Sequence, residues 1–312
     1  MTAIVTLTPN PAIDVWAEVD RVEPSSKLRC TALRRDPGGG GINVARVAKR
    51  LGTDVTAIYP AGGVTGQLLR KLLDREAIIG LSVDLAEETR EDFTISESST
   101  GQEYRFVMPG PRLADAEWQS ILARLASFPA RPSYLVASGS LPPGVPDDFY
   151  ARAFRIGKQW GARTVIDTSG GPLKLALAEG VYLIKPNLRE FAELVGARQP
   201  TDTACLNAAR GLIAEGRVQI VALSLGHRGA LLVSHDGAWR AAPLPIKAMS
   251  RVGAGDSFLG GMISALSAGQ NLESAFRIAV AAGSAALLHA GTGLSQAPDV
   301  ARLAAQVVIA PA

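Results

Sequence analysis

The stretch Val252-Gly253-Ala254-Gly255-Asp256-Ser257-Phe258-Leu259-Gly260-Gly261 decides how the rest of this chain reads. It follows turn-type residues, Pro245 and Ser250, and leads into an apolar run from Phe258 to Leu266. That pattern predicts a loop feeding the N-terminus of a helix. Two glycines strip side chains from the turn, so backbone N–H groups are free to face one point. The helix dipole adds partial positive charge there. An anion suits such a place, and a carboxylate already stands in it. Asp256 is positioned to accept a proton from a substrate hydroxyl. The plainer alternative is a glycine turn with Asp256 as a first-turn capping acid.

A second glycine-rich stretch, Pro37-Gly38-Gly39-Gly40-Gly41, lies near the start of the chain. The spacing of Ile42, Val44, Ala45, Ala48 and Leu51 predicts a helix after it, with Asn43 in the first turn. Around it, Ile4–Leu7 and Val55–Pro60 read as strands, Gly66–Glu76 as a helix and Ile79–Leu85 as a strand. Mixed-polarity stretches at Ile13–Val22 and Leu28–Arg35 read as exposed strands. Phe93–Glu97 and Tyr104–Met108 flank the turn Ser98–Gly101 as a hairpin. These four predict a small lid sheet, at about 12–36 and 91–110, on a single domain covering 1–312. From about residue 115, short apolar strands alternate with helices: Tyr134–Ala137, Thr164–Ile166, Val181–Ile184, Val218–Leu223 and Ala230–Val233. The fold class predicted is α/β, a mainly parallel central sheet with helices on both faces. Functional groups gather at strand C-terminal ends in such sheets. Ser138, Asp167, Lys185-Pro186-Asn187 and Ser224-Leu225-Gly226 each follow a strand.

Bulk properties narrow the classes. The chain has 312 residues, 47% hydrophobic and 20% charged, enough for a large core. A net charge of +3 without a long basic run argues against nucleic-acid binding and suits anionic small molecules. Cys30 and Cys205 show no metal or disulfide spacing, which reads as free thiols. Met1–Val5 lacks the basic and apolar regions of a leader, and no apolar run is long enough for a bilayer. The expectation is a cytoplasmic protein with no membrane role.

Glycine turns at helix starts with placed carboxylates suggest phosphate chemistry. The G-x-x-x-x-G-K-[ST] loop, protein-kinase signatures, H-E-x-x-H and G-x-S-x-G are all missing. The chain instead resembles the ribokinase/PfkB family of carbohydrate kinases. Pro37–Ala45 resembles that family's N-terminal glycine signature, and Val252–Phe258 its C-terminal one. Lys185-Pro186-Asn187-Leu188-Arg189-Glu190 resembles its N-x-x-E magnesium motif. The three occur in family order over nearly the whole chain. Lys27–Thr31, Glu103–Gly110 and Ser138–Val145 resemble the 6-phosphofructokinase branch. Gly40 does too, since the related 1-phosphofructokinases and tagatose-6-phosphate kinases usually carry lysine there.

The resemblance implies a ribokinase-like fold and ATP-dependent phosphorylation of fructose 6-phosphate at O1. It makes Asp256 the base and gives Gly253, Ala254 and Gly255 the N–H groups that hold developing charge. Asp14, Gly38, Gly39 and Asn43 would bind the sugar. Lys27, Arg90, Arg105 and Ser138 would bind its phosphate, with Lys27 reaching across a lid-mediated homodimer. Lys185, Asn187, Ser224, Gly226, Gly229, Val280 and Ser284 would contact ATP. Glu190 with Asn187 would position Mg²⁺. K⁺ would sit near Ser250, Val252, Ala286 and Gly291, although His289 and Gly293 depart from the related pattern there. Ordinary readings stand beside these: Asp14 as a turn acid, Glu190 as a solvated helix carboxylate, Ser224–Gly229 as a hairpin turn, and Val280 as core. Alternative functions are 1-phosphofructokinase, tagatose-6-phosphate kinase, and a non-catalytic sugar-phosphate sensor.

Overall fold

The computed structural model describes residues 3–198 and 200–312. Met1 and Thr2, part of the stretch read for a leader, lie outside them. The strands in chain order are β1 (Ile4–Leu7), β2 (Ala12–Val19), β3 (Ala32–Gly38), β4 (Val55–Gly62), β5 (Ile79–Leu85), β6 (Arg90–Glu97) and β7 (Gln102–Phe106). They continue with β8 (Tyr134–Ser138), β9 (Arg163–Asp167), β10 (Val181–Ile184), β11 (Val218–Ser224), β12 (Ala230–Ser234), β13 (Gly237–Ala241) and β14 (Ile309–Pro311). The helices are α1 (Gly40–Arg50), α2 (Gly63–Arg75), α3 (Asp115–Ala126), α4 (Phe149–Gln159), α5 (Gly170–Leu177), α6 (Leu188–Val195), α7 (Asp202–Ala214), α8 (Ala254–Ser267), α9 (Leu272–Ala286) and α10 (Ala297–Ala304).

The main sheet runs β14-β13-β12-β11-β10-β9-β8-β1-β4-β5. The strands from β5 across to β11 are parallel, and β12, β13 and β14 complete the sheet antiparallel. Its central strands β1, β4 and β8 are buried on both faces, which is why they read as mostly apolar runs. One face packs α1, α2, α8, α9 and α10; the other packs α3 to α7. Helix α8 is buried from Ser257 to Leu266. It can press close to α1 and α9 because Gly260 and Gly261 carry no side chain. A Cβ there would stand 2.7 Å from Val47 and Ala282 respectively.

The second sheet is the lid, ordered β3-β2-β6-β7. Its strands differ in detail from the sequence reading. β3 begins at Ala32 rather than Leu28, because its pairing with β2 starts opposite Glu18, and it runs on through Pro37 and Gly38. β7 covers Gln102–Phe106, in register with Phe93–Glu97, so Val107 and Met108 fall outside it. α1 begins at Gly40, before Ile42. Gly41 is needed for packing, since a Cβ there would lie 2.8 Å from the Leu7 carbonyl. β12 does not continue the β–α alternation. It returns antiparallel to β11 through a 3₁₀ turn, Gly226–Arg228. Among the described residues, no helix is long and apolar enough to cross a membrane.

Candidate active site

The C-terminal ends of β8 and β9, the N-termini of α1, α6 and α8, and the inner face of the lid surround one cavity of about 310 Å³. Its wall includes Asp14, Gly39, Asn43, Arg90, Arg105, Ser138, Glu190, Val252, Gly253 and Asp256. The register of the lid explains its contribution. Asp14 stands opposite Asp92 across β2 and β6, and Thr94 opposite Arg105 across β6 and β7, so one pleat face carries the polar groups inward.

Asp256 is the third residue of α8, after the N-cap Gly253, which sits at φ 73°. The Nδ2 of Asn43 donates to Asp256 Oδ2 at 2.9 Å, leaving the other carboxylate oxygen for a substrate. Burial raises the pKa of Asp256, opposed by the Asn43 hydrogen bond and by the charges of Lys185, Arg105 and Arg46. Burial also pushes Asp14 up to about 7, aided by the charge of Asp92 and opposed by Arg46. Both acids are therefore stronger bases than exposed aspartates.

Lys185 lies behind the start of α8. Its Nζ is 3.3 Å from Asp167 Oδ2 and would be 3.1 Å from a Cβ on Gly255, so the glycine admits it. Burial works against its charge, but Asp167, Asp256 and Glu190 outweigh burial and raise its pKa. Burial lifts Asp167 to about 7 despite the lysine. Asn187 caps α6: its Oδ1 accepts from the Glu190 N–H at 3.0 Å, and Glu190 Oε2 accepts from the Asn187 N–H at 2.9 Å. Glu190 still lines the cavity. Arg90 is fixed in the wall by donating to the carbonyls of Met108 (2.6 Å) and Asn10 (3.1 Å), beside Asp92. Gly38 packs on Asp14, with a would-be Cβ 2.4 Å from its carboxylate. Gly40 packs on Ser138, with a would-be Cβ 2.2 Å from Oγ and 3.1 Å from the Gly139 nitrogen.

The remaining expected ligands lie off this cavity wall. Lys27 is exposed in the connection between β2 and β3. Ser224 and Gly226 lie beside Asn187, to which Ser224 is bridged, and Gly229 closes the turn at φ 90°. Val280 is buried in the core and Ser284 is half-buried. Ser250 is buried and its Oγ accepts the Val252 N–H at 3.2 Å, Ala286 is buried at the end of α9, and Gly291 packs on Trp16. Asp92, Asp167 and Thr292 line the cavity without a role from the sequence reading. Asp92 had a signal, since it follows Arg90 by two in a strand. Asp167 had one as a strand-end residue. Thr292 had none, because only packing of its loop against the lid brings it in.

The model of the pfkB family of carbohydrate kinases matches residues 6–299. The chain belongs to the pfkB family of carbohydrate kinases. Within that family it is 45% identical over 299 residues to the ATP-dependent 6-phosphofructokinase isozyme 2 of Mycobacterium tuberculosis, covering 96% of this chain and 88% of that one. It is 40% identical to the isozyme 2 of Escherichia coli, covering 97% and 98%. A crystal structure of Escherichia coli phosphofructokinase-2 in complex with substrates and products superposes with a TM-score of 0.93 at 38% identity, over 98% of this chain and 99% of that one. This pfkB kinase therefore is an ATP-dependent sugar kinase with the ribokinase-like α/β fold.

Proposed function

We propose that this pfkB kinase transfers the terminal phosphoryl group of ATP to O1 of fructose 6-phosphate. One observation carries the reading: Asp256, Asp14 and the cations Arg90 and Arg105 face a single cavity, although they come from opposite ends of the chain. Phosphoryl transfer needs alignment and charge neutralisation more than covalent help. Asp256 takes the proton of the attacking hydroxyl; its raised pKa brings it nearer the working pH of a general base. The N–H groups of Gly253, Ala254 and Gly255, at the positive end of α8, meet the charge that develops on the transferred group. Asp14, Gly38, Gly39 and Asn43 hold the sugar hydroxyls. Arg90, Arg105 and Ser138 receive the phosphate the substrate already carries. Lys185 and Asn187, with the Ser224–Gly229 turn and Ser284, hold ATP, while Val280 stays in the core.

Glu190 fits a divalent cation as a hard oxygen donor on the cavity wall. Among the described residues no group of three or more acids, histidines or cysteines is close enough to hold a metal ion, so Mg²⁺ would be held largely through water and nucleotide phosphates. Bound there, Mg²⁺ would neutralise phosphate charge. The K⁺ group at Ser250, Val252, Ala286 and Gly291 rests on backbone carbonyls. That of Ala286 already accepts the His289 N–H at 3.2 Å, and no step is assigned to potassium. The lid's outer pleat face exposes Leu33, Phe93 and Phe106, which supports a homodimer through the lid with Lys27 reaching the partner's cavity.

Gly40 packs against Ser138, and the chain's likeness to the 6-phosphofructokinase branch at this position favours the 6-phosphate substrate. Kinases for fructose 1-phosphate or tagatose 6-phosphate are the second reading. A non-catalytic sensor is disfavoured, since Asp256 and its Asn43 donor are both in place. An ADP-release assay across the three phosphosugars tests the choice. Fructose 6-phosphate is expected to give the highest kcat/KM; an equal or higher value with another sugar overturns it.

A further inference from the structure

Among the described residues, the most deeply buried charged side chain stands one helical turn from the cavity and does not line it. Arg46 of α1 has no exposed side-chain surface. Its Nε and Nη2 donate to Glu76 Oε1 at 2.9 and 2.6 Å, beyond the end of α2. Arg50 donates to the other oxygen of Glu76 at 3.0 Å, which anchors that carboxylate. The Nη1 of Arg46 faces the opposite way and is shared among three acceptors. These are the Pro37 carbonyl at 2.9 Å, Asn43 Oδ1 at 3.2 Å and the Thr292 carbonyl at 3.3 Å. Each belongs to a segment that touches the cavity: the end of lid strand β3, the start of α1, and the loop after α9.

We infer that Arg46 is the positioning residue of this site, locking the Asn43 amide so that it holds the base Asp256 in place. The chemistry forces the orientation. A guanidinium only donates, so the amide oxygen of Asn43 must face Arg46 and its NH₂ must face Asp256. The reversed amide would set NH₂ against guanidinium and oxygen against carboxylate. Arg46 thus fixes one oxygen of Asp256 from about two side chains away. Glu76 keeps the guanidinium from turning. Burying such a charge is costly unless it is fully paired; here five hydrogen bonds pair it with Glu76, Pro37, Asn43 and Thr292, and the buried Asp36 carboxylate stands 3.7 Å from its Nη2.

Arg46 also opposes the raised pKa values of both cavity acids. Asp256 faces Lys185, Arg105 and Arg46 as cations, with Asp14 and Asp167 as nearby acids; Asp14 faces Asp92, Asp256 and Arg46. Two substitutions separate the effects. Arg46→Lys keeps a charge but cannot bridge Glu76 and Asn43 together. It is expected to lower kcat about tenfold or more, with KM for ATP within about twofold and the acid limb of the pH profile in place. Arg46→Met is expected to lower kcat at least as far and to move that limb upward by about half a unit or more. Glu76→Gln, a change at a partly exposed site, is expected to lower kcat several-fold without changing KM for ATP.

The inference rests on Asp256 being the base, so Asp256→Asn is measured in the same series. Turnover retained in Asp256→Asn sinks that reading itself. With Asp256→Asn inactive, the Arg46 inference alone falls on any of three results. These are an unchanged kcat in Arg46→Lys or Glu76→Gln, an unshifted limb in Arg46→Met, or losses that track melting temperature and vanish on cooling.

Discussion

Replacing Gly253 with alanine separates catalytic from structural demands at the start of α8. Gly253 sits at φ 73°, a backbone region that costs an L-residue about 1–2 kcal/mol. The new Cβ would stand 2.3 Å from Leu294 Cδ2. Leu294 is fully buried and is itself at φ 53°, so it has little freedom to withdraw. Overpacking of that kind costs about 1–3 kcal/mol. The combined loss is about 2–5 kcal/mol. Unfolding 312 residues releases about 0.65 kcal/mol/K near the melting point, so Tm should fall by about 3–8 °C. Activity should fall much further, because the same change tilts the N–H groups that face the transferred phosphoryl group. Losing one such donor costs about 10²–10³-fold in kcat. The assay is steady-state kinetics well below the melting transition, alongside thermal melts. A kcat within threefold of wild type, with Tm lowered as calculated, would refute the anion-hole role of this turn.

Asp14→Asn should raise stability, and more so at higher pH. Its folded pKa of about 7 lies above the 3.8 of an exposed aspartate, so the native carboxyl resists ionisation. Stability is therefore greatest below pH 3.8 and is lost as pH rises towards 7. The variant's melting advantage should grow between pH 5 and pH 8, while its KM for the sugar rises; an advantage that shrinks over that range contradicts the burial of Asp14. Phe106→Glu, on the exposed outer pleat face of the lid, should break the proposed lid dimer and leave a monomer in sedimentation. An unaltered sedimentation coefficient contradicts the lid interface.

Much of the architecture was legible because the central strands are buried on both faces. β8, β10 and β11 announce themselves as short apolar runs, and Gly253-x-Gly255-Asp256 marks a helix start where one exists. Where the reading slipped, the cause is non-local. Gly40 and Gly41 read as turn residues, yet they are glycine because Ser138 and Leu7 press against them. β3 starts late because its partner strand, not its own composition, sets the register. The antiparallel return of β12 was only one of two readings, a hairpin turn beside a nucleotide turn, because a tight turn after an apolar strand fits both.

The site divides in the same way. Asn43 and Asp256 sit in the two glycine-rich stretches, Asp14 and Arg90 were named by the family resemblance, and all four line one cavity. Arg46 and Thr292 carry no local signal. Their meeting spans 246 positions, and it follows only once α1 has packed against the loop after α9. Val280 shows the opposite case: a hydrophobic residue on a helix near a ligand reads equally as lining or core, and here it is buried.

The central claim is that Asp256 takes a proton from a sugar hydroxyl while the N–H groups at the start of α8 meet the transferred phosphoryl group. Rapid-quench turnover of Asp256→Asn, with sugar and nucleotide affinities measured in parallel, tests it most directly. The account predicts phosphoryl transfer slowed by about 10²–10⁴-fold with both affinities changed by less than about threefold. Transfer at the wild-type rate, or a loss explained by weakened binding alone, would contradict it.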